Sequence, residues 1–293
     1  MQPRLEAWIP SVGTAILIAL LWTAASPTFT QQRQTATQFA ATYRAPRAPD
    51  GHPDLNGIWQ ALVTANWDVQ DHEARPGPHP EVMGAYGGEP AGQSIVKGGE
   101  IPYQAWALAK KREKFEKRTS VDVSDDAKWH DLGDPEFKCY LPGVPRATYM
   151  PFPFQIVQGT NPYILMAYEF TSATRVIRMN WDQKAPTDAW MGWSRGRWEG
   201  DTLVVDVTGQ REETWFDRAG DFHSDQLHVI ERYTPASPYH LTYEATIEDP
   251  KVFTRPWKIS FPLYRRMESN LQLLEYKCVP FTEEVLYSRF RKQ

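Results

Sequence analysis

The stretch LHVIERYTPASPYHLTYEATIE, residues 227–248, contains two segments in which apolar and polar side chains alternate. Successive side chains of a β-strand point to opposite faces, so the alternation predicts two half-buried strands, Leu227–Tyr233 and His240–Glu248. The segment Thr234–Pro238 between them contains two prolines and predicts a turn. This stretch therefore predicts two neighbouring strands joined by a turn.

The same alternation recurs on both sides of this stretch. The other predicted strands are Ile58–Val63, Phe154–Gln158, Tyr163–Phe170, Thr174–Asn180, Thr202–Val207, Trp257–Pro262 and Leu271–Cys278. About nine short strands indicate a sandwich or a barrel, and closure into a barrel removes exposed strand edges. One helix, Gln104–Arg118, follows a long loop at residues 70–100. We predict a mainly β fold, a single antiparallel β-barrel domain over residues 51–293 with a long N-terminal loop and one or two short helices.

The N-terminus has the layout of a secretory signal peptide over residues 1–25. Arg4 precedes an apolar stretch, Val12–Trp22, which small residues follow. The stretch is shorter than the roughly 20 residues that cross a bilayer, although an uncleaved anchor is the alternative. Residues 26–50 have no apolar period and are interpreted as a flexible leader. We expect a periplasmic or secreted protein that is not stably inserted in the membrane after cleavage.

Charge and cysteine content restrict the possible partners and the cellular compartment of the protein. The net charge of −4 argues against a nucleic-acid partner, since such proteins usually present a basic face. Cys139 and Cys278 are an even pair in an exported chain, which predicts a disulfide. Two separate buried thiols are the alternative.

Three acids share strand faces with apolar residues: Glu169, Glu231 and Glu275. In a barrel they would point into a common interior, where Arg175 and Arg232 are candidate counter-charges. A buried carboxylate with a raised pKa is suited to acid–base chemistry. The alternative is that these acids lie at wet strand ends or form structural ion pairs.

The loop WFDRAGDFHSD, residues 215–225, contains the strongest catalytic candidate, His223, whose ordinary pKa suits it to proton transfer in both directions. Asp217, Glu231 and Arg232 are its candidate supporting residues, and we hypothesise that His223, Glu231 and Arg232 meet. The alternative is that His223 only caps the following strand.

The run WMGWSRGRWEGDTLVVDV, residues 190–207, is rich in tryptophan and glycine and is interpreted as a structural corner that shapes the barrel mouth. Its Arg195 and Trp198 are predicted to bind a ligand together with Trp215 and Glu169, because aromatic faces and charged groups can contact small molecules.

Metal and nucleotide sites have little support in the sequence. None of the seven histidines forms H-x-H or H-x-x-x-H, and there is no Gly-rich phosphate loop. We therefore predict no metal and no cofactor. A site assembled from distant segments, such as His72 or His79 with His223, is left open.

Several segments resemble a widespread family of secreted bacterial proteins whose functions are undescribed. They are PDLNGIW, GGEIPY, WALAKK, KCYLPGVPRATYMPFPFQIVQ, SRGRWEGDTLVVDV, TWFDRAGDFHSD, LHVIERY and YEATIEDPKVFTRPWK, and the resemblance covers roughly Pro53 to Phe281. Family members often have an acid where this chain has Trp193. Gly57-Ile58-Trp59 is also similar to the G-x-W that opens lipocalin-type (calycin) barrels, so the resemblance implies a lipocalin-like barrel.

Two functions are compatible with these features of the sequence. The first is a binding protein that holds a small apolar or aromatic molecule in its barrel, because small barrels commonly hold one ligand. The second is an enzyme of the hydrolase, lyase or isomerase type that uses the same pocket, with His223 as general acid and base. The sequence predicts no oligomeric state.

Overall fold

The computed structural model describes residues 43–77, 87–118 and 134–280. In chain order its strands are β1 (Gly57–Ala61), β2 (Arg75–Pro76), β3 (Gly88–Glu89), β4 (Phe154–Val157), β5 (Tyr163–Tyr168), β6 (Thr174–Met179), β7 (Trp193–Glu199), β8 (Thr202–Thr208), β9 (His228–Ser237), β10 (His240–Glu248) and β11 (Trp257–Arg265). The helices are α1 (Ala105–Lys117) and the single turn α2 (Arg146–Tyr149), and short 3-10 segments lie at Pro135–Lys138 and Phe170–Ser172.

Nine strands close into a barrel in the order β1, β11, β10, β9, β8, β7, β6, β5, β4. Neighbouring strands pair antiparallel throughout the ring except for β6 and β7, which run parallel. Strands β2 and β3 form a separate two-stranded sheet. The prediction of a mainly β fold built on one closed barrel is confirmed.

The β9–β10 hairpin forms where the alternation in the sequence is clearest. Its register pairs Glu231 with Ala245 and Tyr233 with Tyr243, and all four side chains are buried on the inward face. Strand β9 continues to Ser237, through the segment predicted as a turn. A register shift between His240 and Leu241 leaves Ala236 without a partner, while Thr234, Pro235 and Ser237 stay paired with β10.

The strands differ from the predicted ones at two places. Strand β7 lies inside the run Trp190–Val207, which the sequence interpretation treated as a corner, whereas Leu271–Cys278 forms no strand. Strand β7 can pack closely on β6 because Gly196 has no side chain. A Cβ at Gly196 would lie only 2.5 Å from Sδ of Met179. This glycine therefore permits close strand packing rather than a bend.

The C-terminal segment is held by a disulfide. Cys139 and Cys278 are bonded, with Cα atoms 5.7 Å apart and a sequence separation of 139 residues, which confirms the predicted bridge. The backbone N–H of Leu274 also donates to the carboxylate of Glu169 over 2.8 Å. The segment is therefore fixed to the barrel domain at two points.

Aromatic side chains fill much of the barrel interior. The ring of Tyr243 lies 5.0 Å from that of Tyr233 and 4.9 Å from that of Phe261, and Phe154 packs on Tyr168 at 5.3 Å. All five residues are buried. The part of the interior that β9, β10 and β11 line is therefore occupied by side chains of the protein itself.

The N-terminal predictions fall largely outside the described residues. The predicted signal peptide, residues 1–25, lies there, as does most of the predicted leader. In the described part of that leader, residues 43–50, Ala45 and Ala48 are buried. Within the described ranges, no helix is both long and apolar enough to cross a membrane.

Candidate functional site

An ion pair lies in the barrel interior. Glu231 on β9 and Arg175 on β6 are both buried, and Nη2 of Arg175 donates to Oε2 of Glu231. Nε of Arg175 donates to Oγ of Ser194 over 2.7 Å. The hydroxyls of Tyr233 and Tyr243 donate to the other carboxylate oxygen, Oε1, over 2.9 and 2.8 Å. We call these five residues the polar centre.

The tyrosines of the polar centre stay protonated over a wide pH range. Burial raises the pKa of Tyr233 and of Tyr243 well above the usual value, and the charge of Glu231 raises both further. Both hydroxyls therefore act as hydrogen-bond donors to Glu231 at neutral pH.

Two polar atoms beside the polar centre have no hydrogen bond of good geometry. They are Nη1 of Arg175 and Oγ1 of Thr148, both buried, and the side chains of both residues interact with the buried Tyr168. A buried N–H without an acceptor forfeits the hydrogen bond that water would have provided.

Arg175 and Ser194 also line a cavity of about 460 Å³. Parallel neighbours require a crossover connection, here residues 180–192, and β6 and β7 pair only from Ile177 and Ser194 onward. The first residues of β6, Thr174–Val176, therefore have no partner on β7. The cavity lies at this gap, and we call it the crossover pocket.

Three tryptophans form the walls of the crossover pocket: Trp181, Trp190 and Trp193. The indole N–H of Trp193 donates to the Thr187 carbonyl oxygen over 2.7 Å, which fixes that ring. Trp190 lies 4.6 Å from the ring of Tyr140, while the Arg211 guanidinium stands 4.7 Å from its centroid. The walls are therefore aromatic and largely held in place.

A second cavity, of about 650 Å³, lies between α1 and residues 212–224. Lys114 lines it, with Nζ 4.3 Å from the ring centroid of Trp215 and 5.3 Å from that of Phe222. Burial, with a smaller contribution from the charge of Lys110, lowers the pKa of Lys114 to about 8. We call this the helix cavity.

His223 lines the helix cavity, but both of its ring nitrogens are engaged. Nδ1 lies 2.8 Å from the carbonyl oxygen of Ser224, which only accepts, so Nδ1 carries the hydrogen. Nε2 then accepts from the Thr214 hydroxyl over 2.7 Å, with Nε2 of Gln210 3.3 Å away. Burial lowers the pKa of His223 to about 4. Its acid–base role stays a prediction, which these hydrogen bonds do not favour.

A cluster of three carboxylates lies beside α1. Oxygen atoms of Asp68, Asp217 and Asp221 lie within 4.8 Å of one another, a spacing at which three oxygens can share one cation. Lys111 already supplies a positive charge, with Nζ 3.6 Å from Asp221. Burial raises the pKa of Asp217 well above its usual value, and the charges of Asp221 and Asp68 raise it further. Histidine spacing, on which the metal prediction rests, gives no sign of this cluster, so Asp68 and Asp221 were not predicted as ligands.

The four predicted catalytic residues do not converge. Glu231 belongs to the polar centre, Asp217 to the carboxylate cluster, and His223 to the helix cavity. Arg232 is next to Glu231 in β9, but its side chain takes the other face and pairs with Glu199 over 2.8 Å. The hypothesis that His223, Glu231 and Arg232 meet is therefore not supported by their contacts. Glu231 pairs instead with Arg175, one of the two predicted counter-charges.

The four predicted ligand-binding residues are also dispersed. Trp198 stacks on His52 with ring centroids 4.7 Å apart, and Glu169 holds the C-terminal segment. Trp215 lines the helix cavity. Arg195 lies half-buried on β7, with Nε buried and without a hydrogen bond to the described residues. None of the four lines the crossover pocket.

Five of the residues that line the crossover pocket belong to a run that the sequence had already singled out. Trp190–Ser194 opens the run interpreted as a corner, and all of its residues line the pocket. Alternation within β7 could have indicated that Ser194 faces inward. The position of the crossover beside β6 depends on the parallel pairing, which no local pattern in the sequence reveals.

The histidine alternative for metal binding receives no support within the described ranges. The group of three or more candidate ligands found there is the carboxylate cluster, which contains no histidine. His72 has Nδ1 2.9 Å from the Gln70 carbonyl oxygen. His79 lies outside the described residues.

No family model matches the chain, and neither a curated protein nor a solved structure is significantly similar to it. The resemblance to a family of secreted bacterial proteins therefore stays a prediction. The closed barrel rests on the structure itself and is compatible with a calycin-like barrel.

Proposed function

We propose that this protein binds a small apolar or aromatic molecule, which occupies the crossover pocket and reaches the polar centre of the barrel. The observation that carries this proposal is a cavity walled by tryptophans whose lining also includes the buried side chains of Arg175 and Ser194. Sites for small molecules are mostly apolar and place a few polar groups where they orient the ligand. The crossover pocket has this composition.

The size of the crossover pocket fits this function. A volume of about 460 Å³ lies within the range of roughly 300–1,000 Å³ that is usual for such sites. The centre of the barrel is filled by aromatic rings. The ligand is therefore placed at the barrel wall, with only its innermost end against the polar centre.

Export forms part of the same proposal. The disulfide between Cys139 and Cys278 fits an oxidising compartment, and the N-terminal sequence has the layout of a signal peptide. We place the protein in the periplasm or outside the cell, in agreement with the resemblance to a secreted family.

The proposal is tested by native mass spectrometry of the exported protein, which detects small molecules that co-purify with it. We expect a bound molecule in the unaltered protein and its loss in a Trp190→Leu variant. The matched control is Trp106→Leu, which removes a tryptophan that is 56% exposed and lines the helix cavity. Loss of the molecule from the control but not from Trp190→Leu would contradict the assigned site.

The second candidate function is an enzyme, and Lys114 in the helix cavity favours it over the His223 mechanism. Within the described part of the chain no carboxylate lies at ion-pair distance from Lys114, and its lowered pKa leaves part of it unprotonated near neutral pH. Such an amine can act as a base or a nucleophile.

Competitive acylation at several pH values, read by peptide mass spectrometry, tests this second candidate. Labelling of Lys114 should be half-maximal near pH 8. Lys111, three residues earlier on α1, is the control: burial acts to lower its pKa, but the charge of Asp221 raises it overall. Equal titration of the two lysines would remove the support for an enzyme.

A further inference from the structure

We infer that the helix cavity is a second binding site, which takes an organic anion with an aromatic body and pairs the carboxylate of that anion with Nζ of Lys114. The helix cavity shares no lining residue with the crossover pocket, so this site does not depend on the function proposed there. Three features carry the inference: an accessible ammonium group without a counter-ion, surrounding carboxylates that are already paired, and aromatic walls.

The ammonium group of Lys114 is open to the helix cavity. Lys114 is half-buried and lines the cavity, and none of the described residues forms a hydrogen bond or an ion pair with its Nζ. This atom is not one of the fully enclosed polar atoms, so part of its surface faces the cavity. Its contacts are the rings of Trp215 and Phe222, whose centroids lie 4.3 and 5.3 Å away. A ring face attracts the charge, but it is a weaker acceptor of N–H groups than a carboxylate oxygen.

The carboxylates around Lys114 are paired with other cations. The pairs are Glu113 with Lys110 and Lys117, Asp134 with Arg146, and Glu213 with Arg211. Glu212 lies exposed at the rim, where solvent screens its charge. Four lysines and three glutamates line the cavity, and the pKa of about 4 leaves His223 neutral at neutral pH. The cavity therefore carries an excess of positive charge, and that of Lys114 is available to a ligand.

The electrostatic environment of Lys114 favours an incoming anion. Burial lowers its pKa to about 8, assisted by the charges of Lys110 and Lys138 and opposed by those of Asp134 and Glu113. Loss of water and the two like charges both disfavour the ammonium form. A bound carboxylate reverses both effects, because it brings a negative charge and accepts charge-assisted hydrogen bonds. The anion and the proton on Lys114 therefore bind together.

The walls of the helix cavity select an aromatic body for the anion. Trp106 is 56% exposed and lies edge-on to Phe222 with ring centroids 6.1 Å apart. Trp215 and Tyr140 line the same cavity, whose volume of about 650 Å³ is sufficient for a small aromatic molecule. Aromatic pairs gain more than their buried area alone provides. An aromatic carboxylate covers these rings and reaches Lys114, whereas a small inorganic anion leaves them uncovered.

A bound anion also determines the protonation state of Lys114. The enzyme alternative requires a free amine that acts as a base or a nucleophile. A carboxylate beside Lys114 stabilises the ammonium form instead. In the filled cavity Lys114 is therefore a binding cation near pH 8, so the same titration separates anion binding from amine chemistry.

The first test is competitive acylation of the intact protein with and without saturating 2-naphthoate, read by peptide mass spectrometry. Only the free amine reacts, so we expect half-maximal labelling of Lys114 to move from near pH 8 to about pH 9 or above. Such a move corresponds to a preference of about tenfold for the protonated form. The neutral 2-naphthamide should not raise the midpoint, and Lys111 should titrate unchanged. An unmoved midpoint, or no saturable naphthoate binding at millimolar concentration, would overturn the inference.

The second test compares variants by isothermal titration calorimetry at pH 7. Lys114→Met should lower the affinity for 2-naphthoate about tenfold or more and leave that for 2-naphthamide unchanged, whereas Lys114→Arg keeps the charge and should retain most of the binding. The matched control is Lys117→Met, because Lys117 lines the same cavity but is exposed and paired with Glu113. Equal losses in the two methionine variants would overturn the inference. Circular dichroism checks folding, and if Lys114→Met does not fold, the titration of the unaltered protein decides alone.

Acetate tests the aromatic part of the inference. It carries the same charge as 2-naphthoate but no ring, so we expect it to bind about tenfold more weakly or worse. Acetate binding as tight as that of 2-naphthoate would overturn the selection of an aromatic body.

Failure of this inference differs from failure of the proposed function. The crossover pocket is tested by loss of the co-purifying molecule from Trp190→Leu, which Lys114→Met should not affect. A co-purifying acid lost from Lys114→Met but retained in Trp190→Leu would support the helix cavity. An unmoved Lys114 midpoint together with a molecule lost only from Trp190→Leu would overturn the inference and leave the proposed function standing.

Discussion

A carboxylate inside a protein needs partners for both of its oxygens, and Glu231 has three donors: Arg175, Tyr233 and Tyr243. Its alternation with Val229 and Tyr233 along β9 made its inward orientation predictable. The same alternation shows why Arg232 cannot join it, since adjacent strand residues face opposite sides. Which loops approach a given face is not encoded in the strand pattern, so the sequence alone gave no basis for the predicted meeting with His223.

The buried ion pair leads to a prediction about stability. We expect Glu231→Gln to lower the free energy of unfolding by about 3–5 kcal/mol, because Arg175 is left as an uncompensated buried charge. The control is Glu199→Gln, which removes an exposed partner of Arg232 and should change stability little. Urea denaturation measures both, and equal losses would contradict the assigned importance of the interior pair.

The carboxylate cluster predicts a dependence of stability on pH. The raised pKa of Asp217 means that the folded state holds a proton which the unfolded state releases above its ordinary pKa. This contribution is complete at low pH and is lost as the pH rises through the folded-state pKa. We therefore expect the free energy of unfolding to fall with rising pH in that window, and the fall to be shallower in Asp217→Asn.

Urea titrations at a series of pH values measure this slope. The control is Asp225→Asn, which removes an exposed carboxylate paired with Lys251. The pKa of Asp225 is lowered by its hydrogen bond with Lys251, so this substitution should leave the slope above pH 5 unchanged. Titration of the buried Glu136 does not contribute to the slope in this pH range. Burial acts to raise its pKa, but the charge of Arg218 outweighs burial and lowers the pKa to about 2. A slope that persists unchanged in Asp217→Asn would contradict the assignment.

At the scale of elements, the sequence predicted strands wherever apolar and polar residues alternate, and eight of the barrel strands correspond to predicted segments. Strand β7 was missed because Gly192, Gly196 and Gly200 resemble bend signals. Leu271–Cys278 has the alternation of a strand, but it lies outside the ring and is held by a disulfide and Glu169. Local periodicity cannot show which of two similar segments closes a barrel.

The glycines around β7 give a matched pair for testing this packing. Gly192 and Gly200 have nearly the same φ, +61° and +60°, but a Cβ at Gly192 would lie 2.7 Å from Cγ1 of Val207 while Gly200 has open space. We expect Gly200→Ala to cost about 1–2 kcal/mol from conformation alone and Gly192→Ala to cost clearly more. Thermal and urea unfolding measure the difference, and equal costs would show that Val207 moves freely aside.

At the scale of the whole molecule, the disulfide joins parts of the chain that are far apart in sequence. Replacing both Cys139 and Cys278 with serine should lower the free energy of unfolding by about 4–5 kcal/mol, because the closed loop is long. The unreduced, denatured protein should contain no reactive thiol among these two residues. Detection of both thiols, or an unchanged stability in the double variant, would contradict the bridge.

The number of strands in the barrel, nine, restricts the directions in which they can run. Around any closed ring, strand direction must return to its starting sense, so the number of reversals between neighbours has to be even. An odd number of strands therefore cannot alternate throughout, and at least one junction must keep the same direction. Here that junction is β6–β7. The opening beside Arg175 thus lies at the parallel strand pair that an odd number of strands requires. A ring with an even number of strands could be antiparallel throughout and would need no such pair.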